Sequence, residues 1–179
     1  WGGQFRFQQE ANKRFAVVIP ITLLLIFLLL FFNFNSVKNS ILILLNIPIA
    51  LVGGITALWI TGQNLSVPSS IGFIALFGIA LENGMILINY FNQLIKEGLE
   101  IDEASVRGAF LRVRPVLMTA LTTALGLIPL LFATGTGSEV QRPLATVVIA
   151  GLFTSTILTL LILPALYKWF AIKVSEGEM

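Results

Sequence analysis

Glu82 is the only charged residue in the run from Ser69 to Phe91, which is long and apolar enough to cross a membrane as a helix. At a rise of ~1.5 Å per residue its carboxyl group lies about 13 to 20 Å of helix from either end, too far for a short side chain to reach water. The group must be protonated, paired, or beside internal water, because an acid at mid-membrane costs roughly 2.5 to 3.5 kcal/mol on insertion scales. Two chemistries meet that condition. One is a proton or ion site facing other helices; the other is a neutral carboxylic acid acting as interhelical hydrogen-bond glue. Around it, Ala80 and Gly84 form a small-xxx-small pair that admits a neighbouring helix closely. Asn83 follows directly, and Asn89 lies two turns on along the same face as Glu82, so the three could line a polar seam. For the asparagines, plain interhelical hydrogen bonding is an equal explanation.

A second set of polar residues stands at Arg112-Val113-Arg114-Pro115, which leads into an apolar run carrying Thr119, Thr122 and Thr123. Arg114 reads as an anchor at the membrane surface, whereas Arg112 fits either an anchor or a cation that reaches along the helix to an acid. Membrane threonines usually bond back to their own helix carbonyls, so spacing alone does not assign Thr119 a transport role. Gly151, Ser155 and Thr159 recur every four residues, as close helix packing requires. The glycine-rich stretch Gly135 to Glu139 lacks a following Lys-Ser/Thr and a preceding strand, and reads as a turn rather than a phosphate cradle.

The elements that must position these residues are five apolar runs near the ~20 residues that span a hydrocarbon core. They cover about 15–34, 41–60, 69–91, 116–132 and 144–170, with a charged loop over 92–115. The last run is longer than a span needs; its membrane part is expected nearer Thr146 to Leu166, with Tyr167 and Trp169 as interfacial anchors. Within the charged stretch, Ile101 to Arg114 reads as a short helix at the membrane surface with Asp102 as its cap, or as a solvated loop.

The fold class is therefore an all-α membrane protein: the composition is 56% hydrophobic and 11% charged. Cysteine and histidine are absent, which removes disulfides, thiol chemistry, imidazole proton shuttles and the usual ligands of a zinc site. No resident metal or cofactor is expected. A formal charge of +2 spread over several loops gives no nucleic-acid surface. An intramembrane enzyme is disfavoured, since no second acid, His or Cys is available for a dyad beside Glu82. A purely structural bundle remains the other alternative.

Lys38, Lys96, Arg107, Arg112, Arg114, Lys168 and Lys173 fall on one side of the five spans, and Arg6, Lys13, Arg14 and Arg142 on the other. The excess predicts that the first group is cytoplasmic, which puts the N-terminal end outside and the C-terminal end inside. The chain begins with Trp1 and is expected to be a piece of a longer protein.

Three stretches carry a family resemblance: Ile71 to Leu76, Leu111 to Ala120, and Ala133 to Val148. In these the chain resembles the heavy-metal efflux branch of the resistance-nodulation-division transporters, most of all the cobalt-zinc-cadmium resistance proteins. The resemblance covers nearly the whole chain and implies the last five of twelve spans. It implies that residues 1–14 end a periplasmic porter region, that 15–170 form the helix bundle and that 171–179 are a cytoplasmic tail. It further implies a homotrimer in the bacterial inner membrane, working with a periplasmic adaptor and an outer-membrane channel and exchanging protons for metal cations. A proton relay would then include Glu82, Arg112 and Thr119, with further acids on a span of the first half, which this chain lacks. The drug-exporting branch has Lys at the position of Glu82, and some metal exporters have an apolar residue there. Copper and silver exporters similar to this chain have Lys where Val116 stands and Met where Gln141 stands. Soft Cu(I) and Ag(I) favour thioethers, and only Met85, Met118 and Met179 occur here, which tilts the expected cargo toward zinc, cobalt, cadmium or nickel. Export of drugs or other small molecules is the alternative within the superfamily.

Overall fold

The computed structural model describes residues 2–175; Trp1 and the end of the expected tail, 176–179, lie outside the described residues. Six helices follow one another: α1 (Gly2–Phe34), α2 (Val37–Leu44), α3 (Asn46–Ile60), α4 (Val67–Lys96), α5 (Ile101–Leu131) and α6 (Ser138–Ser175). Among the described residues there is no strand. The helices supply five candidate membrane crossings, because α2 and α3 together make one span over Val37–Ile60.

Local chemistry sets the boundaries. Ser36 caps α2 by accepting from the Asn39 N–H at 3.4 Å. Ser66 opens α4 through a reciprocal capping box with Ser69, and Pro68 occupies the first turn, where its missing N–H has no cost. Gly98, at φ 96°, closes α4 in the left-handed region and turns the chain into α5 after only a few residues. The second span is broken at Leu45. Pro48 has no N–H for the Leu44 carbonyl, and the chain re-enters helix at Asn46 with a new axis segment.

α6 is the central element and packs against α3, α4 and α5, while α1 leans chiefly on α2 and touches α4 lightly. Consequently the part of α1 beyond Arg14 is largely apolar and mostly exposed, with Leu24 and Phe32 facing outward, as a helix at a lipid boundary should be. Close approach rests on glycine. A Cβ on Gly151 would run into Leu76 and the Ala50 carbonyl, one on Gly84 into the Asn46 amide, and one on Gly108 would lie 2.6 Å from the Phe91 ring. Ser155 is buried on the same face of α6 and donates to the Leu152 carbonyl at 3.2 Å.

Three features differ from the sequence expectation. The segment 92–115 is not a loop: α4 runs on to Lys96 and α5 begins at Ile101, leaving a tight turn between them. Ile101 to Arg114 is the first part of α5 and continuous with the fourth span, and Asp102 is not its cap. That position belongs to Glu100, while the Asp102 carboxylate pairs with Lys168 Nζ at 2.7 Å. Tyr167 is not an interfacial anchor. It is 3% exposed, lies 5.0 Å from the Phe91 ring, and its hydroxyl donates to Asn92 Oδ1 at 2.6 Å, tying α6 to the end of α4. Trp169 is exposed.

Candidate functional site

α4 has two faces of opposite character at its middle. Leu76, Ala80, Asn83, Gly84 and Leu87 are buried against the bundle, whereas Gly78, Glu82, Ile86 and Asn89 form an exposed stripe at helical spacing. Glu82 thus projects away from α6. It lines a groove of about 400 Å³ between α1 and α4, together with Leu29, Leu30, Asn33, Gly78 and Met85. Asn33 donates to the Met85 sulfur at 3.5 Å across the same groove. Among the described residues the ion pairs are Arg107–Glu103 and Lys168–Asp102, and the Glu82 carboxylate takes part in neither.

The two asparagines separate. Asn89 shares the Glu82 stripe, but Asn83 is 5% exposed on the packed face, and its Nδ2 has no hydrogen-bond partner among the described residues. A second buried polar contact lies at the α2–α3 break, where Thr159 Oγ1 donates to Asn46 Oδ1 at 3.1 Å. These groups are interior to the bundle and do not open on the Glu82 groove.

Arg112 is partly buried and stacks over the Tyr90 ring, 4.4 Å from its centroid. Gly108, one turn earlier on α5, lets the helices approach closely at Phe91 and Leu94. This contact fixes the register of the antiparallel pair. Seven residues back along α4 from Tyr90 and seven onward along α5 from Arg112 reach Asn83 and Thr119, so Thr119 stands at the membrane level of Glu82. Ala80 and Ala120 belong to one buried apolar cluster. Thr119 is exposed, and its hydroxyl donates to the Pro115 carbonyl at 3.1 Å. By the same arithmetic Arg112 lies ~12 Å along the helix from Glu82, two turns away.

The arrangement is an exposed acid and an exposed hydroxyl at one depth, with a parked cation two turns distant. It can take up, hold and hand on a proton if a further element covers the open face. Two members were not found by sequence reasoning. Asn33 was signalled only as an isolated polar residue near the end of the first run. Tyr90 carried no signal, because its role depends on the tertiary register of α4 and α5. Among the described residues no three Asp, Glu, His or Cys side chains gather into a metal-binding group.

The family model described as the AcrB/AcrD/AcrF family matches residues 1–171. The chain is similar to the cobalt-zinc-cadmium resistance protein CzcA of Cupriavidus metallidurans, 53% identical over 178 residues, covering 99% of this chain and 17% of that protein. It is 48% identical over 166 residues to the nickel and cobalt resistance protein CnrA of the same organism, covering 93% of this chain and 15% of that one. It is 41% identical over 179 residues to the cation efflux system protein CusA of Escherichia coli, covering 94% and 17%. A crystal structure of a heavy metal efflux pump superposes with a TM-score of 0.86 at 50% identity, covering 95% of this chain and 17% of that one. The chain therefore spans about a sixth of the length of the relatives it matches.

Proposed function

Because the chain belongs to the AcrB/AcrD/AcrF family, we propose that it is the C-terminal membrane part of a proton-driven exporter of heavy-metal cations. The observation that carries the reading is Glu82: an acid at mid-span, exposed on the described chain and without an ionic partner there. A lone acid on an outer face at that depth is costly unless another helix or internal water completes its surroundings. In this reading the first half of the pump covers the stripe of Glu82 and Asn89 and brings further carboxylates to it. Proton binding at Glu82 removes a charge, shifts the packing of α4 and α5 against the other half, and biases the conformational equilibrium that drives the porter region. Thr119, at the same level, orders the proton path; Arg112 compensates charge when the acids are ionised.

The cargo is a divalent cation, zinc, cobalt, cadmium or nickel, in keeping with the names of the relatives and with the scarcity of methionine. The metal site belongs to the porter region upstream. Each charge crossing is worth about 2.3 kcal/mol per 100 mV, so moving a divalent ion outward from the cytoplasm takes about two inward protons to balance the potential. Glu82 holds one of them, and a carboxylate of the first half the other. The assembled pump is a homotrimer of the inner membrane with a periplasmic adaptor and an outer-membrane channel, its α4–α5 turn in the cytoplasm.

The test is survival of a pump-deleted host carrying the full-length gene across a panel of zinc, cobalt, cadmium, nickel, copper and silver. Resistance to the divalent metals, lost in Glu82→Gln at equal membrane abundance, is the expected result. Resistance unchanged in that variant would return Glu82 to structural glue.

A further inference from the structure

The geometry points to Tyr90 as a positioning residue that parks the Arg112 guanidinium away from the relay acids, so that Glu82 can exchange its proton. The inference rests on the reading of Glu82 and Arg112 as relay partners. Its starting point is the stack itself: the guanidinium sits 4.4 Å from the Tyr90 ring centroid, and both residues are partly buried. A cation at that distance is held by the ring quadrupole, more firmly as water is excluded. Among the described residues no carboxylate pairs with Arg112, so the ring is the partner the structure gives it.

The position matters because it holds the cation apart from the α1–α4 groove that Glu82 lines. The long side chain of Arg112 projects from α5 toward α4, whose exposed stripe runs from Asn89 back to Glu82. An arginine free to reach a carboxylate at low dielectric would pair with it in bidentate fashion and hold it ionised, which stops a proton carrier. Parked on Tyr90, two helical turns away, the cation does not pair with Glu82. The parking is weak enough to be reversed, since a cation–π contact favours the stacked state only about three- to thirty-fold. Gly108 builds the site by letting α5 close on α4 beside Tyr90, at Phe91. The guanidinium meets the ring face, so the face, not the phenol, is taken as the working part.

The experiment uses the full-length pump, with metal transport measured per molecule in the membrane. Tyr90→Phe is expected to transport as the wild type, and Tyr90→Met, which fills the space without a π face, to fall about three- to thirty-fold. Should Tyr90→Met not reach the membrane, a series of increasingly fluorinated phenylalanines at position 90 takes its place. Each fluorine keeps the shape and weakens the ring's negative face, so transport must fall stepwise. Tyr90→Met or the fluorinated series behaving as wild type, while Arg112→Ala is impaired, overturns the parking role and leaves the relay reading intact. Tyr90→Phe failing as Tyr90→Met does overturns it too, since the hydroxyl would then be the working group. Arg112→Ala transporting as wild type overturns the relay reading on which the inference rests.

Discussion

The Thr119 hydroxyl already has an acceptor in the Pro115 carbonyl, and Thr122, one turn on, has the same arrangement with the Met118 carbonyl at 2.8 Å. Back-bonding therefore cannot distinguish them; depth does. Thr119 stands level with Glu82 and Thr122 does not, so Thr119→Val should reduce metal transport severalfold at unchanged abundance, with Thr122→Val close to wild type. Equal losses, or none, in the two variants would remove Thr119 from the proton path. The same scale shows what spacing can and cannot reveal. Seven-residue spacing links Asn89 to Glu82, and the two do share the exposed stripe. Asn83 is adjacent in sequence but ~100° round the helix, which carries it to the packed face. Adjacency in the chain suggested a seam of three, and helix geometry divides it. Tyr90 and Asn33 were illegible for a different reason: each gains its meaning from a residue on another helix.

At the scale of elements, long apolar runs made the spans legible, since length and hydropathy decide a crossing almost alone. The break at Leu45 was less so. Pro48 marks it, but whether a membrane proline kinks, caps or merely bends depends on the neighbours that satisfy the freed carbonyl. The helix over Ile101 to Arg114 was legible, since Asp102 and Glu103 suit a first turn, but its charge hid that it runs unbroken into the fourth span. Small residues govern how these elements meet. Gly151→Ala should destabilise the bundle by about 1 to 3 kcal/mol, because the new Cβ meets Leu76 and a backbone carbonyl. Gly126→Ala, where nothing lies within 4 Å, should be neutral or stabilising by up to about 1 kcal/mol. Denaturant midpoints of the full-length protein in detergent check both; a tolerant Gly151 would mean that α6 and α4 are less tightly joined than their contact implies. Thr159→Val, which leaves the buried Asn46 amide without its donor, should cost about 0.5 to 1.5 kcal/mol by the same measurement.

For the whole molecule, the five crossings place the α4–α5 turn on one side and the α3–α4 and α5–α6 turns on the other. Lysine and arginine near the spans favour the first side as cytoplasmic. Since this chain has no cysteine, single cysteines introduced at Gly98 and at Gly62 into an otherwise cysteine-free full-length pump should be labelled by an impermeant thiol reagent from opposite sides, Gly98 from the cytoplasm. Labelling of Gly98 from outside would invert the topology. The chain spans about a sixth of the length of the proteins it resembles, and in the proposed reading the first half of the pump covers the open face of Glu82. The central claim, that this acid carries protons during metal export, is tested most directly by reconstituting the full-length pump in liposomes and following lumenal pH as zinc transport begins. Wild type is predicted to show zinc-dependent proton movement, and Glu82→Gln, reconstituted to equal density, to show none. Proton movement at the wild-type rate in Glu82→Gln would contradict the account and place the coupling site entirely in the other half.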